Sequence, residues 1–110
     1  MLHLTAESKI FLALQPVDFR KQLDSLISLC EYRLSLDPRS GALYVFINRA
    51  RTMIRILCYD TNGYWLATKR LSRGRYSRWP KNNSDIISML PACELSKILK
   101  EFVARRSNSV

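Results

Sequence analysis

Three apolar segments separated by short polar turns constrain this chain more than any other feature. Ala42 to Asn48, Thr52 to Asp60 and Tyr64 to Leu71 are rich in β-branched and aromatic residues, and each is bounded by polar or glycine-containing turns. That pattern predicts an antiparallel β-meander. Thr61-Asn62-Gly63 suits a three-residue hairpin loop, a type I turn followed by a left-handed glycine. In that register Asp60 faces Tyr64, Tyr59 faces Trp65, Leu57 faces Ala67 and Arg55 faces Lys69. One face then shows Ile54, Ile56, Cys58, Leu66 and Thr68, and the other sets Arg55 beside Lys69. A four-residue loop instead pairs Tyr59 with Tyr64 and Arg55 with Thr68, and the basic doublet dissolves.

The flanks add a strand and two helices. Lys9 to Leu14 reads as a short buried strand ended by Gln15-Pro16. An amphipathic helix follows, capped by Asp18, with Phe19, Leu23, Leu26, Ile27, Cys30 and Leu34 on one side. Arg20, Lys21, Asp24, Ser28 and Glu31 lie opposite. Asp37-Pro38-Arg39-Ser40-Gly41 supplies a turn, with proline early and glycine late. Tyr76 to Trp79 suits a further short strand, and Ile86 to Met89 reads as a strand or a helical turn. A second helix starts at Pro91, with Leu95, Ile98, Leu99, Phe102 and Val103 as its apolar face. The order β-α-βββ(β)-α predicts an α+β domain, an antiparallel meander with both helices packed on one face. One domain covers residues 1–106, and 107–110 form a polar, disordered tail. A 110-residue chain buries only a modest core, which a homodimer would supplement.

Charge is segregated along the chain. The net charge is +9, and between Arg49 and Lys81 nine basic residues face one acid, Asp60, a local net of +8. The two helices are close to balanced. Such segregation points to a polyanion rather than a generic solubilising surface: nucleic acid first, then an anionic membrane or an acidic protein. The contact set is Arg49, Arg51, Arg55, Lys69, Arg70, Arg73, Arg75 and Arg78. Arg55 directly opposite Lys69 would cost up to ~1 kcal/mol unless an anion sits between them. Tyr59 and Trp65 offer stacking faces for bases, or form a cross-strand aromatic pair. There is no helix-turn-helix pattern with a basic recognition helix, so contact falls mainly on phosphates and is salt-sensitive and weakly sequence-specific.

Other chemistries find little support. Cys30, Cys58 and Cys93 are odd in number and widely spaced, and His3 is the one histidine, so neither a zinc site nor a disulfide framework is expected. Asp18, Asp24, Asp60 and Asp85 are better explained as a helix cap, an Arg20 partner and turn residues than as a metal cluster. No serine has a histidine partner and there is no glycine-rich phosphate loop. The expectation is a protein with no catalysis and no cofactor. The N-terminus lacks a signal peptide's basic start and apolar run, and no stretch approaches a membrane span, so the reading is cytoplasmic.

The same segments resemble a known family. Val17-Asp18-Phe19-Arg20-Lys21, followed by Leu23-Asp24-Ser25-Leu26, is similar to the signature helix of the TnpB-type accessory proteins, encoded by the second open reading frame of insertion-sequence family 66. This family is distinct from the RNA-guided nucleases of the same label. Asp37-Pro38-Arg39-Ser40-Gly41 with its aromatic strand, Ile54-Arg55-Ile56-Leu57, Asp60, Gly63, Lys69-Arg70-Leu71, Arg73-Gly74 and Trp79-Pro80 follow in the family's order. Gln22 departs from a usual glycine, Cys58-Tyr59 from an aromatic pair and Pro91 from a hydroxyl cap, and Arg73 to Pro80 is longer than usual. The resemblance implies a bacterial accessory role in transposition, beside a larger transposase that holds the catalytic carboxylates and another accessory protein of the element. Asp18, Arg20, Lys21 and Asp24 are its motif-helix residues here. Two readings stand: an accessory that binds DNA through a basic sheet face, or an interaction module that docks on the transposase without touching DNA.

Overall fold

Leu43, Tyr44, Val45, Phe46 and Ile47 form a strand in which every side chain is buried. A strand apolar on both faces belongs in the middle of a sheet covered on both sides. The computed structural model, which describes residues 8–20, 22–80 and 87–108, places it there. The strands are β1 (Ile10–Ala13), β2 (Leu43–Ile47), β3 (Met53–Asp60), β4 (Gly63–Arg70) and β5 (Ile87–Leu90). They form one sheet in the order β4-β3-β2-β1-β5. The fold is α+β with the expected element order. The meander, however, is confined to β2, β3 and β4: β1 lies parallel to β2, and β5 pairs antiparallel on its other side. The segment Tyr76 to Trp79 forms no strand, and the fifth strand is β5.

Strand alternation sorts the core into two layers. Ile10, Leu12, Leu43, Val45, Ile47, Ile54 and Ile56 pack with Leu95 and Ile98 of helix α2 (Ala92–Asn108). Ala13, Tyr44, Phe46 and Leu57 pack instead with Leu26 and Cys30 on the opposite face. Those two residues belong to helix α1 (Leu23–Ser28) and to the π-helical turn Leu29–Arg33 that continues it. The helices therefore lie on opposite faces, not on one. The parallel β1–β2 pair places α1, because a parallel connection needs a crossover and α1 is that crossover, and α2 packs on the other face. Each fully buried aliphatic or aromatic side chain contributes about 1.5–3 kcal/mol, so two layers give a short chain more core than one would.

Two local expectations change. The first helix starts at Leu23, not after Asp18, and its cap residue Gln22 makes no side-chain capping bond. Its apolar stripe still packs as expected, from Phe19 to Leu34. Helix α2 begins just after Pro91, whose carbonyl accepts from the Glu94 and Leu95 N–H groups. It runs on to Asn108, into the segment expected as tail.

Candidate nucleic-acid interface

The β3–β4 hairpin decides where most of the basic residues point. Asp60 pairs with Gly63, leaving a two-residue Thr61-Asn62 loop. The three-residue register is thus overturned: Arg55 pairs with Thr68, Lys69 with Ile54, Tyr59 with Tyr64 and Trp65 with Cys58. Thr61, not Gly63, takes the positive φ, at 46°, and one positive φ at the first loop position is the type II′ pattern. Leu66 moves to the α1 side with Leu57, away from Ile54, Ile56 and Cys58. Side-chain direction alternates along a strand, so Arg55 and Lys69 end on opposite faces.

Both cations are engaged inside the fold. The Arg55 guanidinium lies 4.6 Å from the Phe19 ring centroid, and its Nη1 donates to the Phe19 carbonyl at 3.0 Å. Its Nε donates to Thr68 Oγ1 at 3.3 Å. Arg55 therefore ties the segment before α1 to the sheet. Lys69 Nζ donates to the Leu99 carbonyl of α2 at 2.9 Å on the other side. The basic sheet face expected from the Arg55/Lys69 doublet does not form.

A different basic surface forms at one end of the sheet. Asn48 builds the β2–β3 turn: its Oδ1 accepts from the Thr52 and Met53 N–H groups at 2.9 and 3.0 Å, and its Nδ2 donates to Thr52 Oγ1 at 3.0 Å. An asparagine side chain that takes over backbone donors in this way fixes a tight turn. The turn displays Arg49 and Arg51, the latter at φ 61°. The chain leaving β4 is tied to the same turn, with Leu71 N–H donating to Thr52 O at 2.9 Å and Tyr76 N–H to Arg51 O at 2.7 Å. Arg70, Arg73 and Arg75 lie along that stretch, all exposed, as is Arg78 just beyond it.

The signature segment reaches this end too. Val17 bridges Asn48, and a cavity of about 180 Å³ is lined by Val17, Asp18, Ser25, Leu26, Leu29 and Arg49. Asp18 accepts from Arg20 through backbone and side chain, with a shortest contact of 2.7 Å. The Arg20 hydrogen bonds, with a smaller contribution from nearby Arg49, hold its carboxyl down to about 2. Arg20 is thus paired with Asp18, not with Asp24, which sits exposed in the first turn of α1. Lys21 and Lys81 lie outside the described residues.

The aromatic residues nominated for stacking sit at the other end, at the hairpin tip. Tyr59 and Tyr64 meet edge to face at 4.9 Å, and the Arg39 guanidinium stands 5.3 Å from the Tyr59 ring. Trp65 is half exposed on the opposite sheet face, its Nε1 donating to Asp60 Oδ2 at 2.9 Å. The cross-strand aromatic pair therefore exists, as Tyr59 with Tyr64 rather than with Trp65. Sequence reasoning passed over Asn48 and Arg39. The Asn48-Arg49-Ala50-Arg51 turn carried the signal for the first, and nothing local to Arg39 announced the second. Trp79 is a buried anchor, donating to the Ala13 carbonyl at 3.2 Å. Among the described residues no three His, Cys, Asp or Glu side chains converge as a metal site would require, and no helix is long and apolar enough to cross a membrane.

Comparison with known proteins bears on the family. The family model described as "IS66 Orf2 like protein" matches residues 8–108. An uncharacterized protein of Sinorhizobium fredii, y4hO, is 34% identical over 91 residues, covering 83% of this chain and 77% of the relative. A second from that organism, y4jC, is 35% identical over 68 residues, covering 62% of this chain and 58% of the relative. No solved structure matches significantly. The chain belongs to the IS66 Orf2-like family, whose members are accessory proteins of transposition.

Proposed function

We propose that this accessory protein contacts nucleic acid through the basic end of its sheet and has no catalysis of its own. The observation that carries the reading is the hydrogen-bonded union of the β2–β3 turn with the chain after β4, which gathers Arg49, Arg51, Arg70, Arg73 and Arg75. The acid of the signature segment at that end, Asp18, is already neutralised by Arg20. Exposed guanidinium groups on rigid turns suit phosphates and do not by themselves read bases.

The test is a titration of element-end DNA at graded salt. Each phosphate contact contributes a slope of about −0.9 in log affinity against log salt, so five arginines give about −4 to −5. Replacing Arg49, Arg73 and Arg75 by Gln should lower the slope magnitude by about 3. A flat salt response, or a triple variant that binds like the parent, overturns the reading. Binding that needs the transposase present and ignores these arginines would favour docking on that partner instead.

A further inference from the structure

Edge strands usually carry a device against pairing, such as brevity, a proline, a bulge or charged side chains, and in β4 the charges are confined to Lys69 and Arg70 at its end. Strand β4 is eight residues long, contains no proline and pairs without interruption along β3. Among the described residues β3 is its one strand neighbour. The two-residue loop makes Asp60–Gly63 a hydrogen-bonded pair, and the pattern alternates from there. Tyr64, Leu66, Thr68 and Arg70 therefore turn their N–H and C=O groups away from β3, toward the open edge.

The geometry points to a second copy of this chain as the occupant of that edge, paired antiparallel about a two-fold axis at Ala67. Charge excludes the parallel alternative, which sets Lys69 against Lys69 and Arg70 against Arg70. Every antiparallel register centred on a residue keeps faces matched, and those centred on Leu66 or Ala67 overlap the most of β4. About Ala67, Lys69 stands opposite the partner's Trp65 on the α2 face, and Arg70 opposite the partner's Tyr64 on the α1 face. The Arg70 pairing is cation–aromatic, while Lys69, its ammonium held by the Leu99 carbonyl, brings only its aliphatic stem to the ring. Centring on Leu66 moves Lys69 opposite glycine and Arg70 opposite asparagine, and centring on Thr68 moves them opposite alanine and leucine. The Ala67 register alone sets Arg70 against an aromatic ring, and it also joins Tyr64 to Arg70 and Leu66 to Thr68 through the outward backbone groups. The product is one continuous ten-stranded sheet.

Cysteine cross-linking tests the edge and its register together, in a Cys93→Ser background that removes the exposed native thiol. A pair such as Ala67 with its symmetry mate lies outside the hydrogen-bonded rungs, with Cα atoms about 4.5 Å apart and within disulfide reach. Leu66 or Thr68 meets its own copy only diagonally, at about 7–8 Å. Under mild oxidation, Ala67→Cys should run mainly as a covalent dimer on a non-reducing gel, whereas Leu66→Cys and Thr68→Cys should stay mainly monomeric unless mixed with each other. Without cysteine substitutions, the protein should sediment as a dimer at micromolar concentration. Thr68→Pro, which blocks an outward N–H, should sediment as a monomer with a native circular dichroism spectrum. A monomeric parent overturns the proposal, as does cross-linking at Leu66→Cys or Thr68→Cys equal to that at Ala67→Cys.

Discussion

Replacing Arg55 by methionine separates a structural cation from a ligand-binding one. Methionine keeps an unbranched apolar stem against Phe19 and Thr68 and removes the guanidinium. The losses include a half-buried charged hydrogen bond to the Phe19 carbonyl at 3.0 Å, a cation–π contact at 4.6 Å and a longer, exposed hydrogen bond to Thr68 Oγ1 at 3.3 Å that adds little. A hydrogen bond from a charged donor is worth about 1.5–3 kcal/mol, and a partly exposed cation–π contact about 0.5–1. The stem's retained packing offsets some of this, so the expected loss is about 2 kcal/mol. For a domain of this size each kcal/mol moves the melting temperature by about 4–8 °C, which gives a fall of roughly 10 °C. Urea unfolding followed by tryptophan fluorescence and circular dichroism measures the loss. The same protein, titrated with DNA below its melting range, should keep the parent's salt slope. Arg73→Met is the mirror case: stability within about 0.5 kcal/mol of the parent and a slope reduced by about 0.9. If Arg55→Met is as stable as the parent and loses salt dependence, the assignment of Arg55 to the fold is wrong.

Three further outcomes follow from backbone and burial. Thr61 holds φ 46° with a β-branched side chain, so Thr61→Gly should stabilise the hairpin by about 1 kcal/mol, read as a higher urea midpoint; a lower midpoint would show the turn is unstrained. Tyr76 is buried, and among the described residues its hydroxyl has no hydrogen-bond partner. Tyr76→Phe should therefore raise stability by about 1 kcal/mol, and destabilisation by as much would reveal a partner. Burial pushes the Cys30 thiol from 9.0 up to about 12 and the Tyr76 hydroxyl from 10.0 to about 12. The unfolded chain releases both protons first, so stability is complete below about pH 9 and falls as pH rises toward about 12, by up to ~1.4 kcal/mol per pH unit for each group. Urea midpoints between about pH 8 and about pH 11 test this; a flat profile contradicts it, and Cys30→Ala should flatten the Cys30 share.

The element order was legible because each element carried its own period. Phe19 to Leu34 recur at helical spacing and do line one core layer, and Leu95, Ile98 and Leu99 do the same for α2. The layering was not legible. Phe11 and Ala13 alternate with Ile10 and Leu12, and both sets are apolar, so β1 read as generally buried rather than as the divider between two cores. Its parallel partner lies some thirty residues away, beyond any local signal. The start of α1 was misplaced because an Asp-x-Arg run mimics a helix cap. Asp18 spends its oxygens on the Arg20 backbone and guanidinium instead, an Asx-type turn that competes with helix nucleation.

The hairpin shows why one part of the charge map was robust and another was not. Alternation specifies register when one face is polar. Here Ile54 and Ile56 are buried on one side of β3 and Leu57 on the other, so either register buries apolar residues. The turn sequence argued for the wrong one, because Gly63 invites the left-handed position that Thr61 occupies. A slip of one residue carried Lys69 across the sheet and dissolved the doublet with Arg55. The arginines of the turns could not be moved that way. Arg49 and Arg51 lie between β2 and β3, and Arg73 and Arg75 follow β4, so chain connectivity brings them to the same end of the sheet in any register that keeps the meander. A basic cluster inferred from turn residues thus rests on topology, whereas one inferred from facing strand residues rests on a register that this sequence leaves ambiguous.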